Sequence, residues 1–358
     1  MKVGIVTQPL YANYGGILQN YALQQVLKKM GHTPVTLDYM PSLSFGRYLL
    51  YAGKGLLCCI FPSKRHAIKP YRRFLERPEA IDAFVRNNID KTDKISAYSK
   101  RVLSKNGIEA LVVGSDQVWR YAYNSNVLED MYLGFAKGYP CRRIAYAASF
   151  GVEKWDYPEE RSKNTAVLAG LFDAVSVRED SAVELCRKNL GVEARTVLDP
   201  TLLLDASYYE KFCRKPDPGE EPYLAAYVLD LNEEKRAYIQ AMAKVRNLRV
   251  KQMTVSDKGV SVEEWLSTIR NAEFVITDSY HGSLFSIIFE KQFQTIVNRE
   301  RGADRFKTLF SRLGLNSRLL DIIQQVPASC SRIDYATVYN ALNSLQEDSL
   351  SFIKESLS

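Results

Sequence analysis

The opening of the chain sets the strongest constraint on its fold. KVGIVT is short and rich in β-branched residues, and ANYGG supplies a glycine turn. ILQNYALQQVLKKM then places apolar residues at Ile17, Leu18, Tyr21, Ala22, Leu23, Val26 and Leu27, the recurrence of a helix that Gly31 ends. TPVTLDYM follows as a second strand. A strand, a helix and a second strand in this order build a parallel sheet, because the helix carries the chain back to start the next strand in the same direction. Such a sheet needs helices on its faces.

The alternation lapses over residues 41–105, where the apolar-basic stretch SFGRYLLYAGKGLLCCIFPSKRHAIKPYRRF precedes a polar helical segment around Phe74 to Asn88. It resumes with the strands ALVVGSDQVW, RRIAYAASF and DAVSVRED, the helix SAVELCRKNLG and the strand-like RTVLD before Pro200. Residues 205–222, DASYYEKFCRKPDPGEEP, are polar with three prolines and read as a connection between domains. Beyond them the rhythm repeats through YLAAYVLD, EEKRAYIQAMAKVRN, RVKQMTV, SVEEWLSTIRNA, EFVITDS, SLFSIIFEK and FQTIVN. The amphipathic TVYNALNSLQEDSLSFIKESL ends the chain. The expectation is an α/β protein of two Rossmann-type doubly wound domains, 1–204 and 223–335, facing a central cleft, with a C-terminal helix over 336–358. Its length of 358 residues suits two domains.

Composition narrows the class. With 46% hydrophobic and 25% charged residues, disorder, collagen and coiled coil are excluded. Six cysteines without a C-x-x-C pair suggest neither a disulfide framework nor a zinc site, and no metal is expected. The net charge of +7 is mild and says only that some surface favours anions. No apolar run reaches the roughly 18–20 residues of a membrane span. The nearest, LLYAGKGLLCCIF, is broken by Lys54 and two glycines. MKVGIVTQP has no h-region and reads as a first strand rather than a signal peptide, so a cytoplasmic protein is expected.

In doubly wound folds, ligands sit at the carboxyl ends of strands. Of the three histidines, His32 follows a helix stop and His66 lies in a basic loop. His281 stands where the strand FVITDS meets the next helix, beside Gly282, and a histidine there can move a proton or hold an oxyanion. Its alternative is to cap a buried turn. Arg178 ends the strand of VSVREDSA, where a guanidinium suits a carboxylate or phosphate or else pairs with Glu179 or Asp180. In VVGSDQVW, Asp116 is either functional or a helix cap, and Trp119 either flanks a sugar ring or belongs to the core. Asn13, Tyr14, Gly15 and Gly16 form a ligand-approach turn without the full G-x-G-x-x-G spacing. Arg299, Arg301 and Arg305 follow a late strand and either clamp an anion or form a solvated face. No H-E-x-x-H, Walker loop, G-x-S-x-G or EF-hand loop is present. The basic run SKRHAIKPYRR comes without a nucleic-acid module, so nucleic acid is not an expected partner. Residues 45–73 read instead as a surface for anionic lipid headgroups or as a hairpin packed on the sheet, with Cys58 and Cys59 as small hydrophobes.

Taken in order, NYGGILQNYAL, VVGSDQVW, AYAASFG, SVREDSA, LDPTLLL, TDSYHGSLFSIIF and RGADRF resemble the polysaccharide pyruvyl transferase family across most of the chain. The resemblance implies a GT-B-like pair of domains. It also implies transfer of a pyruvyl group from phosphoenolpyruvate, a co-substrate rather than a cofactor, to a hydroxyl pair on a galactose-type sugar, free or lipid-linked, of a capsule or exopolysaccharide intermediate. By resemblance, Arg178 holds the donor anion, His281 binds the donor or transfers a proton, and Asp116 orients or deprotonates the acceptor. Asn13, Tyr14, Gly15, Gly16 and Trp119 fall on the acceptor side. The family's Arg-x-His-Gly arrangement has Ser279 in its first position here. Arg301 or Arg305 is therefore expected to supply the missing guanidinium, assisted by the Ser279 hydroxyl and the Gly282 amide. Two competing readings are a GT-B glycosyltransferase using a nucleotide sugar and a non-catalytic scaffold in polysaccharide assembly.

Overall fold

The computed structural model describes residues 1–11, 13–40, 78–253, 260–321, 323 and 331–358. Residues 45–73, with His66, Cys58 and Cys59, lie outside them, as does the start of the helical segment near Phe74. Its described part is α2 (Glu79–Asn88).

The opening βαβ unit consists of β1 (Lys2–Val6), α1 (Tyr14–Lys29) and β2 (Thr33–Thr36). After α2 and α3 (Lys100–Asn106) come β3 (Ala110–Asp116), β4 (Arg142–Ala148), α4 (Glu159–Ala169), β5 (Ala174–Val177), α5 (Asp180–Leu185) and β6 (Arg195–Thr196). The sheet runs β2-β1-β3-β4-β5-β6, all parallel. The second half builds β7 (Tyr223–Tyr227), α6 (Glu233–Arg246), β8 (Arg249–Met253), α7 (Val262–Arg270), β9 (Phe274–Thr277), α8 (Tyr280–Ile288), β10 (Gln292–Ile296), α9 (Asp304–Arg312) and β11 (Leu319–Leu320). Its parallel order is β11-β10-β9-β7-β8. The strand order reverses between β1 and β3 in one sheet and between β7 and β9 in the other. These are the switch points at which crevices open.

Helix α1 is buried nearly all round, so its polar residues need internal partners. Gln19 donates to Thr7 Oγ1 at 3.0 Å and accepts the Ser115 amide at 3.0 Å. Gln24 donates to Thr36 Oγ1 and accepts the Asp90 amide. Its apolar residues join one continuous cluster that includes Tyr209, Tyr227, Trp265 and Phe285, so the two domains share a core. Fully burying Ile17, Leu18 or Leu23 contributes about 1.5–3 kcal/mol each.

Two segments depart from the sequence pattern. The polar connection starts by entering the core: Tyr209 is fully buried, donates to the Thr201 carbonyl at 2.8 Å and packs edge-on against Phe285. From Arg214 to Gly219 every residue is exposed. The strand expected in RTVLD shortens to Arg195–Thr196 because the next amides diverge. Val197 still bonds to Val177, but the Leu198 amide donates to Ser349 Oγ at 3.0 Å. Ser349 belongs to α10 (Tyr335–Ser356), which crosses back onto the first domain, with Phe352 against Tyr146 and Arg195 paired to Glu355. No helix among the described residues is long and apolar enough to cross a membrane.

Candidate active site

A cleft of about 500 Å³ opens where the two switch points face each other. Its walls follow four strands: Gln8 and Asn13 after β1, Asp116 and Gln117 at the end of β3, Leu229 after β7, and Ser279, Tyr280 and His281 after β9. Arg301 and Arg305 complete it. The volume lies within the usual range for small-molecule sites.

Asp116 has a φ of 75°, a conformation that costs about 1–3 kcal/mol for a residue other than glycine. Gly114 precedes it because a Cβ there would lie 2.1 Å from the Tyr146 carbonyl oxygen. Asp116 does not cap a helix. Its Oδ1 receives Arg178 Nη2 at 3.3 Å and its Oδ2 receives Asn13 Nδ2 at 3.3 Å. Burial pushes this carboxyl up, but Arg178, His281 and Arg305 outweigh it and hold the group below the ordinary aspartate range.

Arg178 corrects an expectation. Its guanidinium is wholly buried behind the cleft, bonded to Asp199 Oδ2 at 2.9 Å and to Asp116, rather than to Glu179 or Asp180. It holds two carboxylates and does not line this cleft. Asp199, unassigned as a site residue from sequence, is the hub. Its Oδ1 accepts the Thr201 amide and hydroxyl, and its Oδ2 accepts Ser115 Oγ at 3.3 Å and lies 3.5 Å from His281 Nε2. Burial raises its carboxyl, and His281 and Arg178 bring it well below the usual value. Its signal in sequence is the Asp-Pro pair of LDPTLLL at a strand end.

Ser279 N-caps α8. Its Oγ accepts the Gly282 amide at 3.3 Å, so that amide is spent on the cap and unavailable to a ligand, another correction. Gly282 is instead a packing glycine, since a Cβ there would lie 2.3 Å from Thr277 Oγ1. The Tyr280 and His281 amides, in the first turn, have no carbonyl within the helix to bond. Together with the helix dipole they favour an anion.

Of the late arginines, Arg305 enters the site. Its Nη1 stands 4.0 Å from Asp116 Oδ1, its Nη2 donates to the Arg301 carbonyl, and its Nε has no partner among the described residues. Burial and the nearby Arg178 bring it down to about 10. Arg301 sits at the mouth, bidentate to Asp230 at 2.6 and 2.9 Å. Arg299 lines a neighbouring cleft instead.

Four acceptor-side residues fall outside the cleft lining. Trp119 is fully buried, stacked on Tyr132 at 4.8 Å with its indole donating to the Met131 carbonyl, and is a core residue. Tyr14 is buried between domains, stacked on Trp265 at 5.4 Å and bonded to the Val260 carbonyl at 2.7 Å. Gly15 and Gly16 lie in the first turn of α1, and Gly15 makes room for the His281 ring. Asn13 alone of that turn lines the cleft. Tyr280 and the exposed Tyr123 line it without having been singled out in the sequence.

Comparison with solved structures returns the fold. UDP-N-acetylglucosamine 2-epimerase from Rickettsia bellii superposes with a TM-score of 0.51 at 11% identity, covering 99% of this chain and 96% of that one. A glycosyltransferase from Rickettsia africae ESF-5 gives 0.50 at 8% identity, with 100% and 94% covered. S. aureus MnaA in its UDP co-structure gives 0.50 at 10%, with 96% and 87% covered. At these identities the likeness concerns fold alone: a GT-B-like pair of parallel-sheet domains with a C-terminal helix. No protein among the curated sequences matches the chain. The family described as polysaccharide pyruvyl transferase matches residues 13–300, from the turn before α1 to the loop before Arg305. That span covers most of the chain, which therefore belongs to the polysaccharide pyruvyl transferase family.

Proposed function

We propose that the cleft transfers the pyruvyl group of phosphoenolpyruvate to two hydroxyls of one sugar, galactose-type, in a surface-polysaccharide intermediate. The observation that carries this reading is one wall holding His281, Arg305 and the first amides of α8 side by side. Phosphoenolpyruvate has two anionic groups and an enol carbon that must be protonated, and that wall offers cations, amides and a proton carrier. His281 delivers a proton to C3, which makes C2 electrophilic. The first sugar hydroxyl attacks C2, the C–O bond to phosphate breaks, and the second hydroxyl closes the ketal. Of the two protons the diol loses, one balances the new methyl group and the other leaves with phosphate.

Arg305 takes the role of donor guanidinium, with Ser279 beside it. Arg178 acts through Asp116 and Asp199 and is a positioning residue. An Asp116 carboxyl held below its usual range stays ionised and is a weak base, which suits orienting an acceptor hydroxyl rather than deprotonating it.

A nucleotide-sugar donor would want a free carboxylate for its ribose at the second domain's strand ends, whereas Asp230 and Asp278 there are already paired. Asp278 there accepts the Leu229 amide at 2.6 Å and the Lys235 ammonium at 2.7 Å, and Asn298 bridges Asp230 and Asp278. The acceptor is proposed to be lipid-linked, on the strength of the apolar-basic residues 45–73. Absence of flotation with anionic vesicles counts against membrane contact and leaves catalysis untouched.

The test is phosphate release from phosphoenolpyruvate in the presence of galactose-bearing acceptors. Release that needs both substrates and disappears in His281→Ala supports the transferase. Release of UDP or GDP from a sugar nucleotide favours a glycosyltransferase, and silence in both assays favours the scaffold.

A further inference from the structure

A second interdomain cleft, of about 650 Å³, adjoins the first. The two share a wall built from neighbouring residues: Gln117 and Arg301 face the first cleft, Arg120 and Gly302 the second. Gln117 Nε2 donates to the Arg301 carbonyl at 2.8 Å, and Gly302 lies so close to Gly151 that a Cβ there would stand 2.5 Å from the Gly151 oxygen. This backbone contact is part of the wall. Arg120, lining the second cleft, stacks over Tyr123 at 4.4 Å, and the Tyr123 ring, 52% exposed, lines the first, so the pair forms a ridge between the two.

The chemistry of the second cleft differs from that of the first. Trp155 forms part of its lining, held by Tyr157 at 4.2 Å and by its indole donating to Ser162 Oγ at 2.8 Å. Among the described residues, four cationic and four anionic side chains surround it, including the Lys307–Glu153 pair at 3.0 Å. Asp304 also lines it, and its Oδ2 is buried without a hydrogen-bond partner among the described residues. A phosphate-bearing ligand would be matched by an excess of cations. Balanced donors and acceptors beside an aromatic ring suit a neutral, hydroxyl-rich ring that both donates and accepts while stacking an apolar face.

We propose that this second cleft is a subsite for neutral sugar units adjoining the one that reacts, so that the acceptor is an oligosaccharide lying across the Arg120–Tyr123 ridge. The inference rests on the transferase reading for which sugar reacts, but the binding it describes is measurable without catalysis. Trp119 and Trp265 are buried, which makes Trp155 the accessible tryptophan and a built-in reporter.

The experiment follows acrylamide quenching of tryptophan fluorescence in the full chain, without phosphoenolpyruvate. The probes are galactose, lactose, and β-linked galacto-oligosaccharides of three and four units. The expected result is protection of Trp155 by the longer probes but not by galactose, with affinity for the tetrasaccharide about tenfold above that for galactose. Trp155→Ala, followed by calorimetry, is expected to erase that gain and to leave the KM for phosphoenolpyruvate unchanged. The wild-type quenching result stands on its own if that variant does not fold. Failure of every probe to protect Trp155, or equal affinity for galactose and the tetrasaccharide, overturns the subsite. Protection without phosphate release from any acceptor sinks the transferase reading and leaves the subsite standing.

Discussion

Gly15 and His281 touch across the domain interface: a Cβ on Gly15 would lie 2.0 Å from His281 Nδ1. The histidine that faces the cleft is therefore held from behind by a helix of the other domain, and from the side by Asp199. Alanine is the better helix former, so Gly15→Ala favours α1 locally while forcing His281 or the helix to move. The expected outcome is a fall in kcat of about 100-fold, the order that a misplacement of about 1 Å produces. Gly16→Ala is the milder comparison, since the nearest atom to its Cβ would be Asn13 Nδ2 at 3.1 Å, so it perturbs the donor to Asp116 and leaves His281 in place. Steady-state phosphate release from both variants, with melting curves alongside, decides the matter.

Arg178 and Arg305, both buried beside Asp116, are expected to fail differently. Arg305→Ala should raise the KM for phosphoenolpyruvate about 10- to 100-fold, the value of a charge-assisted hydrogen bond, with the fold retained. Arg178→Ala strands Asp116 and Asp199 as buried charges and should cost about 3–5 kcal/mol of stability. Denaturant titration beside kinetics separates the two. An unchanged KM in Arg305→Ala and in Arg301→Ala would remove both arginines from the donor site.

Acid sensitivity follows from the same carboxyls. Asp116 and Asp199 lie below the ordinary aspartate value of about 3.9 when folded. The stability they contribute is complete above about pH 5 and is lost as the pH falls toward their folded values. Asp199→Asn should therefore lower the melting temperature at pH 7 and flatten its decline in acid. Melting curves between pH 3 and 7 measure both effects; parallel curves for the two proteins would refute the assignment.

Tyr14 offers a probe of the interface that leaves the chemistry alone. Its hydroxyl donates to the Val260 carbonyl at 2.7 Å and accepts the Val260 amide at 3.1 Å. Tyr14→Phe keeps the stack on Trp265 and removes both bonds, an expected loss of about 1–3 kcal/mol. Because the two domains share a core, equilibrium denaturation should still show one transition. Two separated transitions would show that the domains unfold independently.

The layered fold is legible in the sequence because its two periodicities, two for strands and 3.6 for helices, are set by local geometry. The strand-end positions of Asp116, Arg178 and His281 are legible for the same reason. What each side chain meets is not. Arg178 reads equally well as a donor ligand or a buried bridge, and the difference lies in Asp199, which the fold alone brings to it. Trp119 after a strand suits a cleft or a core, and Tyr132 stacking on it decides for the core. The Gly15–Gly16 pair looks like a ligand-approach turn, yet the room it leaves at Gly15 is filled by His281.

Helix α10 gives the molecule an unusual seam. The chain passes from the first lobe to the second through the exposed residues after Arg214, and α10 brings it back through Ser349, Phe352 and Glu355. The chain thus crosses between the lobes twice, in addition to the core they share. A protease cut near Pro216 opens one crossing only. The nicked protein should then elute whole, its C-terminal fragment still clasping the N-terminal lobe by its last helix.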